Sequence, residues 1–162
     1  MRVPVFLWLF FVSLPLIAQS KAVFPKVYSP QEAFDQQETQ YRPIVFFFHA
    51  DWCKYCKAME IKTLQNKEVV RLLDAHYYFV MMKDTYAEEV RIKGQVFRLP
   101  TQGKHAGVHD LLRLLATKDG VLSYPSTVLL GKDYQIDEQI SSFMTANQLV
   151  SLLQKYLEKS SN

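Results

Sequence analysis

IVFFFHADWCKYCK, residues 44–57, is the stretch that decides the fold. Its first part, residues 44–48, is a continuous run of apolar, β-branched and aromatic side chains with the length of one strand. Such a run is typical of a strand that is buried on both faces, and we expect it to be central in its sheet. The good helix formers that follow predict a helix over residues 53–64.

The two cysteines of the chain, Cys53 and Cys56, stand two residues apart directly after this strand. The start of a helix has unpaired backbone N–H groups and a dipole that favours negative charge. A cysteine in that setting can have its pKa lowered from about 8.5 to between about 3.5 and 7.5. We therefore expect Cys53 to be a nucleophilic thiolate and Cys56 to be the thiol that resolves its mixed disulfides.

Three other roles for the pair are less well supported by its surroundings. A purely structural disulfide with so short a loop would remove little entropy from the unfolded chain. Haem attachment needs a histidine after the second cysteine, where Lys57 stands. A zinc site needs two more ligands, and nothing in the sequence places His49 or His76 near the pair. We expect no metal and no cofactor beyond the redox-active disulfide.

The rest of the pattern predicts one α/β domain. A helix over residues 30–40, opened by a capping box at Ser29, precedes the central strand. A helical stretch at 68–73 and a buried strand at 77–82 complete a right-handed βαβ unit with parallel strands. The later predicted elements are a hairpin at 90–97, a helix at 108–117, strands at 126–130 and 134–140, and a last helix from Thr145.

The least regular region is an insertion at about residues 85–123. It contains His105 and His109 at helical i, i+4 spacing, which are too few to hold a metal and are predicted to be surface histidines. Its apolar side chains Val96, Phe97 and Leu99 could either cover a sheet edge or bind a client.

The N-terminus predicts export. Met1 and Arg2 precede an apolar run that ends at Ala18-Gln19-Ser20, a pattern typical of a signal peptide over residues 1–20 with a mature domain over 21–162. The alternative of a retained membrane anchor is disfavoured because the run is shorter than roughly 20 residues and contains Pro15. Without Arg2 the formal charge falls from +3 to +2, which gives no reason to expect nucleic acid as a partner.

Residues 50–57 resemble the thioredoxin active site, with Trp52 before the first cysteine and Lys57 after the second. The stretch that continues through Glu60 is similar to the C-terminal domain of the disulfide reductase DsbD and its small exported relatives. Tyr124-Pro125 falls where this family has its cis-proline, which implies that the Tyr124 backbone binds an extended substrate. The resemblance implies a thioredoxin-like α/β fold: a central mixed sheet flanked by helices, with the insertion before the cis-proline strand.

Two positions depart from the family. Phe47 stands where thioredoxin has a buried aspartate, and Val80 stands where it has the lysine partner of that aspartate. Glu60 is the candidate substitute, since it lies one helical turn after Cys56, although it could instead be a solvated glutamate paired with Lys57. His49 could stabilise the Cys53 thiolate when protonated, or it could be a strand-end histidine satisfied by the backbone.

The resemblance implies an enzyme, a thiol–disulfide oxidoreductase that reduces, or relays electrons to, disulfides of exported proteins. Its implied partners are disulfide-bearing exported proteins and a membrane thiol donor, and we expect a monomer in the periplasm. The pair Lys54-Tyr55 between the cysteines differs from the Pro-His of oxidising relatives and favours a reductant. The alternatives are an oxidase or isomerase of secreted proteins, in the periplasm or the secretory pathway, and a non-catalytic binding module that uses the insertion.

Overall fold

A computed structural model describes residues 23–160 of the chain. The predicted signal peptide therefore lies outside the described residues. Within residues 23–160, no helix is both long enough and apolar enough to cross a membrane.

The described part alternates helices and strands, as the sequence predicts. The helices are α1 (Pro30–Thr39), α2 (Lys54–Lys62), α3 (Lys67–His76), α4 (Asp110–Ala116) and α5 (Ala146–Ser160). The strands are β1 (Ile44–His49), β2 (Tyr78–Lys83), β3 (Val90–Ile92), β4 (Gln95–Phe97), β5 (Thr117–Lys118), β6 (Val121–Leu122), β7 (Ser126–Leu130) and β8 (Ile136–Ile140).

The main sheet is mixed and has the strand order β2-β1-β7-β8. β1 runs parallel to β2 and antiparallel to β7, and β8 pairs antiparallel with the outer side of β7. All residues of β1 except His49 are buried. The predicted central strand and the parallel βαβ unit are therefore confirmed.

Side chains of β1 alternate between two cores, one on each face of the sheet. Val45 and Phe47 belong to the core that contains both cysteines and the buried side chains of α3 and α5. Phe46 and Phe48 stack on each other in the opposite core, which α1 and α4 cover. The sheet is thus sandwiched between helices, and the cysteines lie on the α3 and α5 side.

Local signals in the sequence account for the helix starts. The predicted capping box forms at α1, where the Glu32 N–H donates to Ser29 Oγ and the Ser29 N–H donates to the Glu32 carboxylate. A similar exchange between Thr145 and Gln148 begins α5. Asn66 caps α3 by accepting from two backbone N–H groups.

The structure differs from the sequence prediction at two turns. The last predicted strand begins at Ile136 because Lys132–Tyr134 form a 3-10 turn, in which Asp133 and Tyr134 have positive φ angles of 59° and 64°. The short β5–β6 hairpin was not predicted, because Thr117 reads as the end of a helix. It closes through a turn in which Gly120 has a φ of 77°, a conformation that glycine adopts at little cost.

His109 was predicted to lie on the surface, and that prediction is wrong, because its side chain is 0% exposed. The imidazole caps α4: the Leu111 N–H donates to Nδ1 over 3.1 Å, so Nε2 carries the proton and donates to the Glu88 carbonyl, also over 3.1 Å. The His109 N–H donates to the Asp84 carbonyl. His109 therefore ties the segment that follows β2 to the start of α4.

The other side chains of the insertion have mixed positions. His105 is exposed, as predicted. Phe97 is buried in the core between α1 and α4, while Val96 and Leu99 are half-buried. Phe97 therefore contributes to the core and is not free to contact a client.

We expect the free energy of unfolding to fall less steeply with decreasing pH in His109→Asn than in the wild type. Burial lowers the pKa of His109 below its usual 6.5, so the unfolded chain takes up this proton first as the pH falls. The stability due to neutral His109 is complete above about pH 6.5 and is lost as the pH drops toward the lower folded-state pKa. Asn keeps a capping oxygen but does not titrate.

The measurement is urea unfolding at a series of pH values from about 7 to about 5. The free energy of unfolding should fall more steeply with acid in the wild type than in His109→Asn, whose lost hydrogen bond should cost about 1–2 kcal/mol at neutral pH. His105→Asn, at an exposed position, is the matched control and should follow the wild type. Parallel curves for His109→Asn and the wild type would rule out this role.

Candidate active site

Cys53 and Cys56 form a disulfide where β1 meets α2, with Sγ–Sγ and Cα–Cα distances of 2.06 Å and 5.3 Å. Cys53 is the N-cap residue of α2, with extended backbone angles of φ −81° and ψ 98°. The backbone N–H of Cys56 donates to Cys53 Sγ over 3.0 Å. In the reduced protein, this donor and the helix dipole would stabilise a Cys53 thiolate.

The two sulfur-bearing side chains differ in access. Cys53 is 6% exposed and borders a surface cavity of about 310 Å³, whereas Cys56 is 1% exposed and lies in the core under the sheet. A partner can therefore reach the sulfur of Cys53 first. This order of access suits the predicted roles of nucleophile and resolving thiol.

The predicted substrate-binding residues lie at the same end of the sheet. Because β1 and β7 are antiparallel, Ser126 at the start of β7 pairs with Phe48 near the end of β1. The preceding Tyr124-Pro125 bond is cis, as the resemblance implies. The Tyr124 ring meets the Trp52 ring edge-on, with ring centroids 5.7 Å apart, which links the cis-proline loop to the residue before Cys53.

Exposed aromatic side chains flank the disulfide. Trp52 is 72% exposed and Tyr55 is 70% exposed, although both are large apolar groups.

The Tyr124 hydroxyl is buried and has no hydrogen-bond partner among the described residues. Burial, assisted by the charge of Asp84, raises the pKa of Tyr124 well above its usual range, so this phenol stays neutral.

The cavity beside Cys53 gathers the other predicted site residues. It is lined by His49, Ala50, Asp51, Cys53, Lys57 and Glu60. Lys57 Nζ and the Glu60 carboxylate form an ion pair at 3.0 Å, as one of the two interpretations of Glu60 predicts. Glu60 and Cys53 line the same cavity.

His49 is half-buried at the end of β1, on the sheet face that carries the cysteines. Its imidazole stacks on the Phe47 ring, with centroids 5.8 Å apart and planes 12° apart. No residue in the described range 23–160 hydrogen-bonds its ring nitrogens, so the expected backbone partner is not present. Burial lowers the pKa of His49, and the charges of Glu60 and then Asp51 act to raise it.

Apolar residues stand at the two positions where thioredoxin has its buried aspartate and the lysine partner of that aspartate. Phe47 is 1% exposed and packs in the core with the cysteines. Its partner on β2 is Met81, whereas Val80 pairs with Phe46 and packs in the opposite core. The residue that faces Phe47 is therefore Met81 and not Val80. No charged group occupies this pair of positions.

One residue beside Cys53 was not singled out from the sequence. Asp51 borders the cavity and forms an ion pair with Lys83 at the end of β2. Its position two residues before Cys53 was the available signal.

His76, considered as a metal ligand, is an exposed residue at the end of α3. Residues 23–160 contain no group of three His, Cys, Asp or Glu side chains able to hold a metal ion.

The model of the thioredoxin-like domain family matches residues 30–157. The chain therefore belongs to the thioredoxin-like domain family, and the resemblance found in the sequence is confirmed. A search of curated proteins found no significant match.

Similar solved structures share this fold. A thioredoxin from Thermus thermophilus has 19% identity and a TM-score of 0.60, covering 85% of this chain and 90% of that chain. The DsbH oxidoreductase has 19% identity and a TM-score of 0.59, covering 90% and 95%. The reduced C-terminal domain of Neisseria meningitidis DsbD has 19% identity and a TM-score of 0.50, covering 76% and 90%. At such identities the likeness shows the fold alone.

In the reduced protein, we expect a small alkylating reagent to modify Cys53 about tenfold or more faster than Cys56 near neutral pH. The reason is that Cys53 borders the cavity and its sulfur accepts a backbone N–H, whereas Cys56 is enclosed by the core. Peptide mapping by mass spectrometry after short exposures measures the two rates.

The same reaction in denaturant is the control, and there the two thiols should react at similar rates. Equal modification of both cysteines in the folded protein, or faster modification of Cys56, would contradict the assignment of Cys53 as the accessible nucleophile.

Proposed function

We propose that this chain is an exported thiol–disulfide oxidoreductase that reduces, or relays electrons to, disulfides of exported proteins. The observation that carries the proposal is the position of Cys53, at the start of α2, beside the cis-proline loop and next to exposed Trp52. A nucleophilic sulfur at a helix start, with an adjacent surface for a polypeptide, is what disulfide exchange requires.

The exchange proceeds in two steps. The Cys53 thiolate attacks one sulfur of a partner disulfide, forming a mixed disulfide and releasing the partner's other sulfur as a thiolate that takes up a proton. Cys56 then loses its proton and attacks Cys53 Sγ, which frees the second partner sulfur and restores the Cys53–Cys56 disulfide. The partner gains two electrons and two protons, and the dithiol loses them.

The substrate is proposed to bind as an extended segment over the cis-proline loop. The N–H and C=O groups of Tyr124 bond to no backbone group within residues 23–160, so they are available to pair with a second chain. Trp52 and Tyr55 offer apolar surface on either side of the disulfide. Main-chain pairing with few specific pockets suits clients of varied sequence.

Compartment and electron supply belong to the same proposal. The predicted signal peptide supports export, which we propose is to the periplasm, and we propose that a membrane thiol donor regenerates the dithiol. We propose that the chain acts as a monomer and that the Cys53–Cys56 disulfide is its only redox group. The Lys54-Tyr55 pair supports a reductant over an oxidant.

We expect a Cys56→Ser variant, expressed in its native compartment, to accumulate mixed disulfides through Cys53. Loss of the resolving thiol blocks the second step, so the covalent intermediate persists. Non-reducing gels followed by mass spectrometry would show adducts that disappear with a reductant, and the wild-type dithiol should reduce a model disulfide.

The Cys53→Ser, Cys56→Ser double variant is the control and should form no adducts. If Cys56→Ser traps nothing and the wild-type dithiol fails to reduce a model disulfide, the proposed activity is wrong. Retained biological activity in the double variant would favour a binding module.

A further inference from the structure

The cavity beside Cys53 contains one titratable group whose polar atoms have no partner. Lys57 and Glu60 both line the cavity and form an ion pair with each other. Asp51 is paired with Lys83. The imidazole of His49 lines the same cavity, and within residues 23–160 neither ring nitrogen makes a hydrogen bond. A half-buried histidine with both nitrogens free is able to take up and release a proton.

We propose that His49 is the proton carrier for the Cys53 thiol and that Glu60 is the residue that stabilises its protonated form. This inference rests on the proposed function and identifies the group that replaces the buried acid missing at Phe47. The imidazole stacks on the Phe47 ring, with centroids 5.8 Å apart and planes 12° apart, and this contact limits how far the His49 ring can turn.

Proton transfer between His49 and Cys53 does not require direct contact of the two side chains. The cavity they share is about 310 Å³, and one water molecule occupies about 30 Å³ of liquid volume. The walls carry charged groups that offer the hydrogen-bond partners such water needs. One or a few water molecules could therefore bridge the imidazole and the sulfur.

The charges that face His49 come from three parts of the fold. Asp51 lies in the loop after β1, Lys57 and Glu60 lie on α2, and Lys83 and Asp84 lie at the end of β2. Among the carboxylates, Glu60 has the largest effect in favour of the protonated imidazole, while burial opposes that form. A thiolate at Cys53 adds a further negative charge to the cavity, so protonated His49 becomes favourable when Cys53 ionises.

In the first exchange step, His49 carries one proton from Cys53 to the leaving group. The Cys53 thiol gives its proton to His49, which leaves a thiolate and an imidazolium. The thiolate attacks the partner disulfide, the partner's S–S bond breaks, and the leaving thiolate takes the proton from His49. The imidazole is neutral again once the mixed disulfide has formed, and no external oxidant, reductant or cofactor is needed.

The most direct test compares the titration of His49 in the oxidised and reduced forms by NMR of the imidazole protons. Coupled groups titrate as a pair, so His49 should titrate at a pH about one unit higher in the dithiol form than in the disulfide form. His105, exposed in the insertion, is the internal control, and its imidazole signals should not differ between the two forms. Identical titration of His49 in both forms would overturn the proposal.

A second test uses His49→Gln, with His105→Gln as the matched control. The alkylation rate of Cys53 near pH 6.5 should fall about tenfold in His49→Gln, its pH profile should move to higher pH, and His105→Gln should match the wild type. Glu60→Gln should lower the pH at which His49 titrates in the dithiol form. An unchanged profile in folded His49→Gln would refute the role of His49.

Both tests use the protein without a client, so they separate this inference from the proposed function. A wild-type dithiol that reduces no model disulfide, in a protein whose His49 and Cys53 titrate together, would count against the proposed function only. Reduction of the model disulfide without coupled titration would count against His49 only.

Discussion

The hydrogen bond from the Cys56 N–H to Cys53 Sγ depends on how one buried strand meets one helix. Strand β1 is fixed by the core that contains Val45, Phe47 and the two cysteines. The end of β1 determines where α2 begins. Because Cys53 is the N-cap, its sulfur accepts an N–H that would otherwise have no partner inside the helix. The same geometry leaves Cys56 one turn inside, enclosed by the core. The different access of the two sulfurs is thus a consequence of the fold.

The alternation of β1 side chains decides which groups surround the cysteines. Val45, Phe47 and His49 lie on one face of the sheet, and only the last lies at the edge where the core opens to solvent. Because Phe47 is apolar, no carboxylate stands at that position, and the core cluster that contains the cysteines has no buried Asp or Glu among residues 23–160. The polar side chains beside Cys53 line the surface cavity that His49 and Glu60 share, at the rim of this core. Proton transfer in this chain is proposed to take place at the rim.

The sequence predicts those features that depend on local pattern. Strand β1, the capping boxes and the helix after Cys53 each follow from neighbouring residues, and the cis bond at Pro125 follows from the family resemblance. The burial of His109 was missed, because it depends on a carbonyl 21 residues away in a segment without periodicity. The register that pairs Phe47 with Met81 was not predicted, since register across parallel strands is not visible in either strand alone.

The central claim is that Cys53 and Cys56 form a reducing dithiol, and an equilibrium redox titration tests it most directly. The fraction of disulfide would be followed by mass spectrometry after alkylation in a series of thiol–disulfide buffers. We predict a single two-electron transition with a potential near that of thioredoxin, about −270 mV. A potential near about −120 mV, as for a strong oxidant, or a disulfide that does not equilibrate with the buffer, would contradict the account.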